Sequence, residues 1–322
     1  MNHTTNLLRN LIREQMRNHQ KSPRRRIDEG GGAFPEVNSA VPRSLLSKNI
    51  ENALGRAGLK KLNYEIVGNK TRDFFGDIDI AVDIDEMRNF LKISDSEDVW
   101  PKLRAYLDGK VTYKVMPGLS QFHILVDLID KSGRPSDAID PTSYEVVEDT
   151  PGKIQIDVFV GNLGWMKDTS SGAPPESKYK AVYRNFLLFA IIGNIPNDLT
   201  KEDKEIAKQH PDKTIKKKIL TNFRKGVIER LYYEEQALGK SGKPLKDPKI
   251  VVVNEKITSS ADDLYGFFLK NPVKWEKMNS YEELMKQVKS GNFKFPSLRE
   301  KIISVFTDDL SKNSLAIPED VL

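Results

Sequence analysis

The chain has 322 residues, 30% of them charged, a formal net charge of +5 and no cysteine. That length suffices for a full hydrophobic core and for two domains. The lack of cysteine excludes disulfides, thiolate zinc sites and cysteine nucleophiles, and no apolar run nears the roughly 20 residues that cross a bilayer. An isoelectric point near 9.0 and a mean hydropathy of −0.51 suit a soluble chain with an anionic partner, RNA or DNA among the candidates. The first residues lack the apolar core of a signal peptide, so a cytoplasmic location and no membrane contact are expected.

Residues 1–42 read as a unit of their own. Leu7, Leu8, Leu11, Ile12 and Met16 recur at helical spacing, and Arg9, Arg13 and Arg17 repeat every fourth position on another face. A basic run from Lys21 to Arg26 then leads into Gly30-Gly31-Gly32, a joint. A helix of this kind either grips nucleic-acid phosphates or docks on the main body with a solvated linker behind it.

A second unit is expected over residues 43–162. The spacing of Leu46, Ile50 and Leu54 predicts a helix over 44–59, followed by a short strand over 64–67. Gly68-Asn69 then marks a turn in which backbone amides can approach a phosphate without a Cβ in the way. Residues 86–107 read as helical, with breaks near Ser94 to Ser96 and at Pro101. Strands are expected over 111–116, 121–130 and 154–160, and the polar, proline-bearing stretch 131–152 reads as a long surface loop. These elements give a mixed sheet with helices packed on it, an α+β architecture.

The most informative run is Gly76-Asp77-Ile78-Asp79-Ile80-Ala81-Val82-Asp83. Strand side chains alternate, so Ile78, Ile80 and Val82 share one face and Asp77, Asp79 and Asp83 the other. Asp is depleted from strands, and two carboxylates two positions apart sit roughly 6.5–7 Å apart at Cα, within reach of one divalent cation. Mg²⁺ prefers hard oxygen ligands of this kind. Asp83 and Asp85 lie some 13 Å or more along from Asp77 and read as a solvated strand end or as the cap of the next helix. Two later strands each carry a carboxylate in an apolar run, Asp127 in Phe122 to Ile129 and Asp157 in Ile154 to Val160. A carboxylate buried there is costly unless it is paired or metal-bound. On local pattern the two compete to be the third ligand.

Gly68-Asn69, then Asp77-Ile78-Asp79, then Ile156-Asp157-Val158 together resemble the signature of the polymerase β-like nucleotidyltransferase superfamily. That resemblance covers residues 44–161 and implies a nucleotidyltransferase-like mixed sheet followed by a mostly helical C-terminal domain. It selects Asp157 over Asp127, because the family's third acid lies on a strand that leads out toward helices. It also implies transfer of a nucleoside monophosphate from an NTP, ATP included, to a hydroxyl. Asp77 and Asp79 would bridge two Mg²⁺ ions, with Mn²⁺ a possible substitute, and Asp157 would bind the ion that activates the acceptor. A nucleic-acid 3′ end is the acceptor that the basic character favours; a protein side chain, a small molecule, and a non-catalytic phage protein that kept the fold are the alternatives. The sequence departs from the family at Asn69, where a Ser or Gly is usual, so Lys70, Thr71 and Arg72 are the expected phosphate contacts beside Gly68. The stretch from Glu176 to Asn185 is similar to a segment of phage-encoded members, which would place the chain in a host cytoplasm.

Residues 163–322 form the expected C-terminal domain. A Ser/Gly/Pro-rich loop is predicted over 164–175 and a helix after it, with Lys178, Lys180 and Arg184 as candidate nucleotide contacts and Tyr179 or Tyr183 as stacking or core residues. A long amphipathic helix is predicted over 213–238, opening on Lys216-Lys217-Lys218 and offering either a guide for an acceptor strand or a solvated face. A linker over 240–248, a short strand over 250–253 and three helices near Ala261, Tyr281 and Leu298 complete the chain. The four histidines are scattered, so no histidine metal cluster is expected.

Overall fold

The computed structural model describes residues 33–68, 72–174, 176–222, 226–236 and 248–321. The expected basic N-terminal helix, Asn69, Lys70, Thr71 and most of the 240–248 linker therefore lie outside the described residues. Two compact units emerge, one ending at Glu176 and the other running from Ser177. The fold is α+β.

In the first unit, β1 (Val41–Pro42) leads into the helix Leu46–Arg56, whose stripe of Leu46, Ile50, Ala53 and Leu54 is buried. Next come β2 (Glu65–Ile66), β3 (Phe74–Phe75) and β4 (Ile78–Asp83). Two helices follow, Ile84–Leu91 and Val99–Leu107, separated at Ser94 to Ser96 as expected. Pro101 does not break the second of these. It lies in the first turn, where its missing N–H would have had no intrahelical partner. The chain continues through β5 (Thr112–Met116), β6 (Gln121–Asp127), β7 (Asp137–Ile139), β8 (Val146–Pro151) and β9 (Lys153–Gly161) to the helix Leu163–Thr169.

Five of these strands form one sheet in the order β2-β4-β9-β6-β5, with β4 and β9 parallel and the other pairs antiparallel. One face carries the core: Ile78, Ile80 and Val82 from β4, Ile154 to Val160 at alternate positions of β9, and Phe122, Ile124 and Val126 from β6. Ile50, Leu54, Trp100, Leu103 and Leu107 of the helices belong to the same buried cluster. Each fully buried aliphatic side chain of this kind contributes about 1.5–3 kcal/mol, so the register of the strands is held by the packing of one face.

Two expectations in this unit are corrected. The stretch 131–152 holds the hairpin β7–β8 rather than an unstructured loop. The carboxylates of Asp130 and Asp140 accept hydrogen bonds from nearby backbone amides (Ser132 and Arg134; Thr142 and Ser143) and set its turns, while Ala138 and Ile139 are buried. The Ser/Gly/Pro stretch after β9 contains the helix Leu163–Thr169, because Asn162 caps it through Trp165 N and buried Trp165 and Met166 hold it down.

The second unit opens with the helices Ala181–Ile192 and Lys201–Lys208. A three-stranded antiparallel sheet follows, of β10 (Lys216–Asn222), β11 (Gly226–Glu235) and β12 (Lys249–Thr258). The helices Ala261–Phe268, Tyr281–Lys289 and Arg299–Lys312 complete it. The predicted long basic helix is thus a β-hairpin, and the unit is helical only in part. The apolar residues of 213–238 match a helical stripe, but Gly226 has φ +101° and a Cβ there would meet Thr258 O at 2.2 Å. Only glycine fits that approach, and it sits at the start of β11. Lys217 is not on a solvated face. Its side chain is 5% exposed and pairs with Asp203 at 2.9 Å and Glu229 at 2.8 Å. Lys216 pairs with Glu234 and Arg230 with Glu255, both at 2.7 Å.

The aromatics before the middle helices pack as core. Tyr179 meets Tyr183 and Tyr281 at ring distances of 5.1 and 4.9 Å, and Arg184, fully buried, donates to Asn279 O at 2.8 Å. Arg184 is therefore enclosed within this unit rather than displayed on a helix face. Among the described residues, no helix is long and apolar enough to cross a membrane.

Removing the cation from the Lys217 cluster leaves two carboxylates crowded and uncompensated. Lys217→Ala should lower unfolding stability by about 3 kcal/mol, read as the shift in urea midpoint at constant m-value. An unchanged midpoint would show the cluster to be energetically neutral.

Candidate metal centre

Sheet register builds the site. In the parallel β4–β9 pair Asp79 stands opposite Asp157, and in the antiparallel β6–β9 pair His123 stands opposite the same Asp157. Because strand side chains alternate, Asp79, Asp157 and His123 share the face turned away from the Ile78–Ile80 core side. Asp77, the residue before β4, and Gln155 on β9 fall on this face too. One carboxylate oxygen each from Asp77, Asp79 and Asp157 lies within 4.8 Å of the others, the one such group among the described residues.

The crowding has an electrostatic cost. Asp157 is 9% exposed, and Asp77 and Asp79 are half-buried. Burial first, and then the charges of Asp79 and Asp157, push the Asp77 carboxyl well above the usual carboxylate range; the positive charge of Arg72 opposes this in part. Burial and the Asp157 charge push Asp79 up to about 8. Three hard oxygen donors that cannot all ionise comfortably without a cation match the ligand set that Mg²⁺ or Mn²⁺ takes.

Gly68 lies against this cluster. Its φ is +74°, and a Cβ there would stand 2.7 Å from Asp79 Oδ2. The turn is tied to the end of the helix Leu163–Thr169: Gly68 N donates to Ser170 O at 2.9 Å and Gly172 N donates to Gly68 O at 2.8 Å. The side chains the structure brings together are thus Asp77, Asp79 and Asp157, with Arg72 acting on Asp77 and the Gly68 backbone against Asp79. Lys178 and Lys180 belong to the other unit. Both are exposed and neither is within a helix: Lys178 N donates to Glu282 Oε1 at 2.7 Å, and Lys180 is the N-cap of Ala181–Ile192.

The rival carboxylate is elsewhere. Asp127 lies at the end of β6, opposite Lys153, where it pairs with Lys153 and with Arg56 at 3.0 Å. The Lys153 hydrogen bond, with Arg56 beside it, holds its carboxyl below the usual range. Asp83 accepts from Asp85 N at 2.9 Å and caps the helix Ile84–Leu91.

Three polar residues not among the sequence candidates stand behind Asp157. His123, Gln155 and Gln121 are 4%, 1% and 3% exposed. His123 Nδ1 is 2.7 Å from Asp157 Oδ1, and Gln155 Nε2 donates to that same oxygen at 2.5 Å. The signal was present: Gln121 and His123, and Gln155 and Asp157, are polar pairs at i and i+2 inside apolar strands. The reasoning applied to Asp157, that a buried polar side chain needs a partner, applies equally to them.

No protein-family model matches the chain, and no curated protein matches it.

Two measurements follow from the crowding. Unfolded aspartates ionise near pH 4, whereas folded Asp79 keeps its proton up to about pH 8. The folded state then binds more protons than the unfolded one across that interval, so metal-free stability falls as pH rises through it. Asp79→Asn should raise the thermal midpoint in EDTA at pH 8, by about 2–4 °C per kcal/mol of relieved repulsion, with the gain fading toward pH 4. A midpoint at or below wild type at pH 8 would contradict the crowding. Gly68→Ala should cost about 1–2 kcal/mol of stability from its left-handed backbone alone. It should also weaken Mn²⁺ binding, because the new methyl must displace the Asp79 carboxylate.

Proposed function

We propose that the protein is a Mg²⁺-dependent nucleotidyltransferase that moves a nucleoside monophosphate from an NTP to a hydroxyl acceptor. The observation that carries this reading is the convergence of Asp77, Asp79 and Asp157 within 4.8 Å beside the Gly68 turn. Asp77, Asp79 and Asp157 are the residues that would hold the metal. Bound there, Mg²⁺ would lower the pKa of the acceptor hydroxyl and neutralise charge on the triphosphate and the departing pyrophosphate. The chain's own contribution is positional. Gly68 opens backbone close to Asp79, and the Arg72 guanidinium beside Asp77 is a cation suited to phosphate oxygens.

A nucleic-acid 3′ end is the acceptor we favour, on the net charge of +5. The sheet of the second unit adds little to that choice, since Lys216, Lys217 and Arg230 are each matched by a carboxylate. Protein and small-molecule hydroxyls, or a non-catalytic phage role for the same fold, are separated from this reading by experiment.

Incubation with each radiolabelled NTP, Mg²⁺ and a mixed RNA and DNA pool should label nucleic acid. Asp77→Ala and Asp157→Ala should each reduce labelling by roughly 100-fold or more, equivalent to about 2.7 kcal/mol of lost transition-state stabilisation. Label that enters the protein or a small molecule would redirect the acceptor. No transfer with any NTP, together with no Mg²⁺-dependent nucleotide binding, would overturn the enzymatic reading.

A further inference from the structure

The polar groups behind Asp157 form a closed, buried set. Gln155 Oε1 accepts from Ala33 N at 3.2 Å, and Gln155 Nε2 donates to Asp157 Oδ1 at 2.5 Å. On the other side, His123 Nδ1 stands 2.7 Å from the same Asp157 Oδ1. His123 Nε2 is 3.3 Å from Gln121 Nε2 and 3.1 Å from Met116 Sδ. With Asp157 ionised, the short contact requires the ring proton on Nδ1. Nε2 then faces both the Gln121 amide and the Met116 sulfur.

Both donors meet Asp157 at Oδ1. Asp157 has two carboxylate oxygens, and a single oxygen from each of Asp77, Asp79 and Asp157 suffices to bring the three within 4.8 Å of one another. We propose that His123 and Gln155 are positioning residues: they hold Asp157 Oδ1 so that Oδ2 alone faces the cation. A carboxylate free to rotate would offer either oxygen, or both, and would lose rotamer entropy on binding. One held by two buried donors is already oriented. The two donors also lie close to each other, Gln155 Nε2 being 3.3 Å from His123 Nδ1 where both converge on Oδ1. His123 and Asp157 stand directly opposite in the β6–β9 register, so the sheet itself sets the ring against the carboxylate. Gln155 lies two residues before Asp157 on the same strand face. Hydrogen-bonding partners that orient a ligand in this way typically change metal affinity 10–100-fold when removed.

This inference rests on the metal-dependent reading above, and the test separates the two. Free Mn²⁺ is followed by electron paramagnetic resonance during titration with full-length wild type and with Asp79→Asn, His123→Leu, His123→Asn and Gln155→Met. Thermal unfolding in EDTA is recorded alongside. His123→Leu removes the donor, whereas the Asn side chain can present an N–H close to the position of Nδ1. Wild type should bind Mn²⁺ and Asp79→Asn should not. His123→Leu and Gln155→Met should each raise the Kd about 10-fold or more, with His123→Asn within about threefold of wild type. If His123→Leu fails to fold, Gln155→Met decides the matter by the same criterion. Leucine and methionine variants that bind Mn²⁺ as tightly as wild type would overturn the positioning role and leave the metal centre standing. An asparagine variant as weak as the leucine variant would also overturn it, since a retained donor would then count for nothing. Wild type that binds no Mn²⁺ would overturn the metal centre, and the positioning role with it.

Discussion

The parallel pairing of β4 with β9, in the register that sets Asp79 opposite Asp157, is the contact on which the rest of the candidate site depends. A slip of one residue would turn the carboxylates into the core and the isoleucines out of it. The register does not slip because the opposite face is a continuous set of buried apolar side chains shared by β4, β9 and β6. The apolar face therefore determines where the acidic face stands. Site geometry and core packing are two sides of one sheet.

That linkage explains how the fold tolerates three crowded carboxylates. Burial and mutual repulsion push Asp77 and Asp79 up, an unfavourable arrangement in the metal-free chain. The hydrophobic face supplies stabilisation that does not depend on the ionisation of these groups. A divalent cation would then relieve repulsion that the core has held in place. The row does not stop at Asp157: His123 on the next strand and Gln155 on the same strand face extend it as a buried hydrogen-bonded set. The site is thus better understood as a band across β4, β9 and β6 than as a motif on one strand.

The second unit uses charge differently. Its sheet has Lys217 enclosed between Asp203 and Glu229, with further pairs at Lys216 and Arg230. Charged side chains that would have marked a basic surface are instead matched within the unit. Lys216, Lys217 and Arg230 are therefore matched within the unit, and a nucleic-acid partner has to be judged by binding rather than by counting lysines.

What the sequence determined was local. Alternation in Ile78 to Asp83 and in Lys153 to Gly161 was enough to identify two strands with one apolar face and a carboxylate-bearing one, since a period of two is a property of the chain itself. Capping residues such as Asp83 and the stripe of Leu46, Ile50 and Leu54 were legible for the same reason. The hairpin at Gly226 was not, because Ile219, Phe223, Val227 and Leu231 also fit a helical spacing, and the approach of Thr258 O that demands a glycine comes from a distant part of the chain. Nor could local pattern separate Asp157 from Asp127, which are each a lone acid in an apolar run. The tertiary structure separates them through strand register: β9 lies beside β4 and brings Asp157 to Asp79, while Asp127 falls opposite Lys153 and within reach of Arg56. It alone set His123 against Asp157, because hydrogen-bond partners 34 residues apart are chosen by strand order, which no spacing along the chain encodes.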